Sequence, residues 1–125
     1  MPLILEQVNI DARDPVGLAR WWATALGWVD VTDPADTAGA DDPEDLCEIR
    51  PAPDQLPGLL FIRVPEGKTV KNRLHLDFRP DDQAAEVARL LELGARRVDV
   101  GQGDPSWTVL ADPEGNEFCV LSGRG

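Results

Sequence analysis

Apolar and polar positions alternate along some stretches of the chain and recur every three to four residues along others. "LILEQVNI" (3–10) alternates and predicts a strand. "DPVGLARWWATALG" (14–27) carries helix signals at both ends, with Asp14 as N-cap, Pro15 at the first helical position and Gly27 as the stop. "WVDV" then predicts a short strand. A Pro, Gly and Asp rich loop follows from Thr32 to about Asp45, and "LCEIRP" and "GLLFIRV" predict two further strands.

The same order then returns. "NRLHLDF" (72–78) alternates, Asp81 or Asp82 caps "QAAEVARLLEL", and Gly94 ends that helix; "RRVDV", "WTVLAD" and "NEFCVLS" supply three strands. Setting Gln7 on His75, at an offset of 68, brings "ARWW" (19–22) onto "ARLL" (88–91) and Gly27 onto Gly94 within one residue. Such self-similarity predicts an α+β fold of two tandem βαβββ modules, about 1–66 and 67–125, in one domain spanning 1–125. In the second helix Ala84, Val87, Ala88 and Leu91 form one apolar stripe, so it covers one face of a sheet and leaves the other face for a different use. Trp21 and Trp22 sit mid-helix and read as packing residues. In "ADPEGNEF" the order Asp112, Pro113, Gly115 is that of a tight turn between strands.

His75 is the sole histidine of the chain. If Leu74, Leu76 and Phe78 face the core, His75 and Asp77 share the opposite face, which meets either solvent or a cavity. A Ser-His-Asp triad is not expected, because residues two apart on a strand lie roughly 6 to 7 Å apart and neither Ser106 nor Ser122 has a second histidine to use. "GQGDPS" contains a G-x-G without a strand-to-helix context and reads as a hairpin loop.

Composition narrows the partners. With 42% hydrophobic and 28% charged residues the chain suits one soluble globular core. Neither a secretory leader nor an apolar run long enough to span a bilayer is present, so a cytoplasmic protein is expected. Cys47 and Cys119 lie in strand-like runs and read as buried, reduced thiols. Twelve Lys and Arg against 23 Asp and Glu give a net charge of −11, and between Trp21 and Ile49 eight acids occur without one base. Nucleic acid and anionic membrane are disfavoured as partners, whereas a cationic small molecule would be attracted.

The two βαβββ modules, the Asp14 that opens the first helix, "WW", "LGW", "VPEGKTVKNRLHLDF" and "DPEGNEFCVL" resemble the vicinal oxygen chelate superfamily. That group includes glyoxalase I, bleomycin resistance proteins, fosfomycin resistance enzymes and extradiol dioxygenases, and the chain is similar to its bacterial glyoxalase-like branch. The resemblance implies a curved, cup-like mixed sheet with helices outside, metal ligands on the first and last strands of each module, and a homodimer. It sets Gln7 and His75 at the first-strand positions and turns Gln7, Asn9, His75 and Asp77 toward the cup. The last-strand ligand is usually a glutamate seven residues after the Asp of the "DPxG" turn; here Cys119 stands there, with Glu117 two residues earlier and no metal-binding residue from Leu59 to Ile62.

Two functions follow as expectations. One is a binding protein that holds a small organic molecule in the cup, such as a flat cationic drug sequestered in the manner of bleomycin resistance. Its pocket would use Gln7, Asn9, Trp28, Phe61, Asp77 and Trp107. The alternative is a metal-dependent lyase, isomerase or dioxygenase acting on a small oxygenated metabolite. There His75 is ligand or base, Glu117 is base, and Gln7, His75 and Cys119 form a divalent metal set in which the thiolate suits zinc. No cofactor is required by the first reading.

Overall fold

The computed structural model describes residues 3–33, 43–98 and 107–123. The chain divides into two compact units, 1–67 and 68–125, each with one α-helix and one four-stranded mixed sheet among the described residues. The "GQGDPS" stretch, Ser106 and most of the Thr32 to Asp45 loop lie outside the described residues.

In the first unit β1 (Gln7–Ala12) leads into α1 (Pro15–Leu26), and β2 (Val29–Asp30), β3 (Leu46–Arg50) and β4 (Gly58–Arg63) follow. The sheet order is β1-β4-β3-β2, with β1 parallel to β4 and the other pairs antiparallel. Both helix ends match the sequence signals. The Asp14 carboxylate accepts from the Gly17 N–H at 3.1 Å, which satisfies one of the donors a helix start leaves unpaired. Gly27 ends the helix at φ 71°, where a side chain would be strained.

The buried residues of α1 are Pro15, Leu18, Ala19, Trp22 and Ala25, a stripe that packs on β3 and β4. Cys47, Ile49, Leu59 and Phe61 supply the apolar sheet face beneath it. Trp22 is core; Trp21 is half-buried and meets it edge to face at 5.1 Å. Losing a buried ring such as Phe61 would cost about 3–5 kcal/mol.

The second unit repeats this plan with β5 (Leu76–Phe78), α2 (Gln83–Leu93), β6 (Arg96–Arg97), β7 (Thr108–Ala111) and β8 (Glu117–Val120), in the order β5-β8-β7-β6. Asp82 is the N-cap of α2, and Gly94 at φ 115° the stop. The turn before β8 forms around Asp112, whose carboxylate accepts from the N–H groups of Glu114 and Asn116 at 2.9 and 3.0 Å while Gly115 adopts φ 90°. The repeat extends to register. Asn9 pairs with Leu60 in the first sheet, and its counterpart at an offset of 68, Asp77, pairs with Cys119 in the second.

Two sequence expectations need correction. The buried positions of α2 are Val87 and Leu90, while Ala84 and Ala88 face solvent. Leucine and valine bury more apolar area than alanine, so the larger side chains decide which way the helix turns. The strand expected over 72–78 forms only from Leu76, and Leu74 is 81% exposed. The Asn72 N–H is donated to the Glu117 carboxylate at 3.1 Å instead of to a strand ladder, and this draws residues 72–75 away from pairing.

Candidate functional site

Strand alternation sorts the side chains of each sheet onto two faces. In the second unit Phe118, Val120 and Leu110 share the face of Phe78, whose ring meets Phe118 edge to face at 5.9 Å. Opposite them lie Asp77, Cys119 and Glu117. All four residues of β8 are buried, so Glu117 and Cys119 are polar groups inside the protein rather than on an open surface.

Glu117 is held at both carboxylate oxygens. Oε1 accepts from the Asn72 backbone N–H at 3.1 Å, and the Lys68 ammonium stands 2.5 Å from Oε2. That second contact is a close ion pair between a nearly buried carboxylate and a half-buried ammonium. The Asn72 amide also donates to the Glu117 carbonyl at 3.4 Å. Burial pushes the Glu117 carboxyl up, but Lys68 and the Asn72 N–H outweigh it and leave the pKa below its ordinary value. The carboxylate is thus ionised and engaged. His75 is half-buried, immediately before β5.

Cys119 is buried beside Asp77. Burial pushes its thiol up, and the charge of Asp77 and its hydrogen bond push it further. The sulfur therefore keeps its proton and donates it to Asp77. The first unit contains a similar pair: the Cys47 thiol donates to Asp30 at 3.5 Å, and the Thr32 hydroxyl donates to the same carboxylate at 2.6 Å. Burial likewise raises the Cys47 pKa, whereas for Asp30 burial is outweighed by the hydrogen bonds from Thr32 and the pKa falls.

On the first sheet the face away from α1 carries Gln7, Asn9, Leu60, Glu48 and Arg50. Gln7 is half-buried and Asn9 exposed. Glu48 is buried and accepts from Arg50 Nε at 2.9 Å, while the remaining guanidinium nitrogens reach the Pro53 carbonyl at 3.0 Å and the Glu6 carboxylate at 3.3 Å. Gly58 leaves room for this cluster, since a Cβ there would meet Glu48 Oε2 and the Ile49 carbonyl at 3.0 Å.

The other sequence candidates sit elsewhere. Phe61 is fully buried in the core, on the face opposite Asn9. Trp28 is half-buried and directly precedes β2; Trp107 is 38% exposed and directly precedes β7. Glu48, Lys68 and Asn72 were not singled out from the sequence. Alternation in "LCEIRP" sets Glu48 and Arg50 opposite Cys47 and Ile49, which is a readable signal for that pair. Nothing local to "GKTVKN" announces that Lys68 and Asn72 meet a residue 45 or more positions away.

The profile of the glyoxalase-like domain family matches residues 7–121, nearly the whole chain. The chain belongs to the glyoxalase-like domain family. Solved structures of the same fold include a glyoxalase/bleomycin resistance protein/dioxygenase family enzyme from Burkholderia phytofirmans (19% identity, TM-score 0.66, 94% of this chain and 97% of that one). The fosfomycin resistance protein FosX from Mesorhizobium loti is similar at 15% identity and TM-score 0.66, covering 99% and 94%. A bleomycin resistance determinant encoded on transposon Tn5 is similar at 17% identity and TM-score 0.59, covering 98% and 100%. These likenesses place the chain in the vicinal oxygen chelate fold. No curated protein matches the chain in sequence.

For this glyoxalase-like domain the metal question turns on donor chemistry. Register places Leu60 as the first-unit counterpart of Cys119, and leucine brings no donor. Cys119 is a protonated thiol occupied with Asp77. Among the described residues no three His, Cys, Asp or Glu side chains form a metal-holding group. At the last-strand positions Leu60 and Cys119 offer a divalent ion no oxygen or nitrogen donor, whereas Gln7 and His75 at the first-strand positions carry one each. Among the described residues no helix is long and apolar enough to cross a membrane.

Proposed function

We propose that this glyoxalase-like protein binds a small organic molecule in the cup that its fold implies, holding it in the manner of drug sequestration rather than transforming it on a metal. The supporting observation is the chemistry of the helix-free sheet faces. Gln7, Asn9 and Glu48 in one unit, and Asp77 and Cys119 in the other, are hydrogen-bonding groups on partly apolar sheets. Such faces suit recognition by a few placed polar contacts. At the last-strand positions, where a metal-dependent relative needs two of its ligands, this chain has a leucine and a thiol.

The net charge of −11 favours a cationic ligand. Trp28 and Trp107 supply aromatic surface at strand starts, where a flat cation can stack. By the resemblance, the working species is a homodimer.

A titration of intrinsic tryptophan fluorescence with a panel of flat organic cations is the test. Saturable quenching, weakened by Asp77→Asn, is expected, with light scattering of the same sample at twice the 13.7 kDa chain mass. An unchanged spectrum across the panel, or stoichiometric retention of a divalent ion that His75→Ala abolishes, would overturn the reading.

A further inference from the structure

Residues 68–75 form no helix or strand, yet they lead directly into β5. Hydrophobic packing does not hold them, because Val70 and Leu74 are 75% and 81% exposed. Their side-chain tethers among the described residues are the three contacts with Glu117: the Lys68 ion pair, the Asn72 N–H and the Asn72 amide. The two partners differ in surroundings. The Glu117 side chain is 5% exposed on an interior strand, and that of Lys68 is 22% exposed. A carboxylate buried this deeply is costly unless compensated, so the segment and the charge hold each other in place.

We propose that Glu117 is a positioning residue: it anchors the 68–75 segment to β8 and so fixes where His75 stands at the entrance to β5. Asn72 is pinned three residues before His75, within about 10 Å of chain, and β5 begins one residue after it, so the His75 backbone is confined from both sides. This role accounts for a buried glutamate that would make a poor proton acceptor, since protonating it would release Lys68. That the fixed His75 faces a ligand rests on the function proposed above; the anchoring itself does not.

The test uses the full chain without ligand. Amide hydrogen exchange is followed in Glu117→Gln and Lys68→Met, together with the imidazole Cε1–H resonance, which is unambiguous in a chain with one histidine. Exchange of the Asn72 amide, whose N–H is bonded to Glu117, is expected to accelerate by about tenfold or more while α1 amides keep their protection, and the His75 resonance should shift. Lys68→Arg should restore both signals. Unchanged protection of the Asn72 amide in Lys68→Met, whose partly exposed side chain can be replaced without a core defect, would overturn the anchor even if Glu117→Gln failed to fold. That failure would leave the ligand reading standing, and a protein that binds no cation would leave the anchor standing.

Discussion

Gly58→Ala probes the polar face of the first sheet more directly than removal of any charge. Gly58 is buried and is not among the glycines with positive φ, so alanine can adopt its backbone conformation. Space is the obstacle. The new Cβ would lie 3.0 Å from Glu48 Oε2, 3.0 Å from the Ile49 carbonyl and 3.1 Å from Arg50 Cγ, whereas comfortable contact begins at about 3.5 Å. Two of these neighbours resist displacement. The carbonyl belongs to the β3 backbone, and Glu48 Oε2 is tied to Arg50 Nε at 2.9 Å. Overpacking of this kind costs about 1–3 kcal/mol, and the reduced freedom of the unfolded chain returns roughly 0.4–1 kcal/mol. A net loss of about 1–2 kcal/mol is expected, seen as a urea midpoint lowered by roughly 0.5–1 M with an unchanged slope. In a Glu48→Ala background the penalty should shrink but persist, because the Ile49 carbonyl remains; the two substitutions should couple by about 0.5 kcal/mol or more. A Gly58→Ala protein as stable as its parent would refute the account.

Two further outcomes concern pH and the thiols. Glu117 and Asp30 have lowered pKa values in the folded state, so their contribution to stability is complete above their ordinary values of 4.5 and 3.8 and is lost as pH falls through the folded ones. Urea midpoints should therefore drop on acidification below about pH 4.5, and a Glu117→Gln protein with the same steepness would contradict this. Cys47 and Cys119 hold their protons more tightly when folded, so the fold should lose stability as pH rises past the ordinary thiol value of 9.0. Neither should react with a disulfide reagent at pH 8 until the protein is denatured, whereupon both should; prompt labelling of the native protein would count against their burial.

Glu117 and Cys119 show how strand neighbours acquire different chemistry. Both occupy the same buried face of β8. Lys68 and a backbone N–H keep the glutamate charged against the effect of burial, while burial, reinforced by the charge of Asp77, keeps the thiol protonated. A substitution that removes Asp77 therefore removes an obstacle to thiolate formation, which makes Asp77→Asn informative for ligand binding and for Cys119 reactivity together.

Much of the architecture can be read along the chain because its causes are local. Asp14, Pro15 and Gly27, and likewise Asp82 and Gly94, mark helix ends through hydrogen bonds and φ angles that involve residues at most a few positions away. Alternation assigns strand faces on the same footing, and the repetition of βαβββ at an offset of 68 carries the topology and even the pairing of Asn9 and Asp77 with their partners on the last strands. What the chain could not declare is where groups distant in sequence meet. The side-chain size that turns α2 onto Val87 and Leu90 matters only against a sheet. The shortening of β5, the exposure of Leu74 and the engagement of Glu117 all follow from one encounter between residues 68–72 and 117, and burial is what makes that encounter strong. Whether a carboxylate or thiol is charged depends on the water removed from around it and the partner set beside it, and both are properties of the packed molecule.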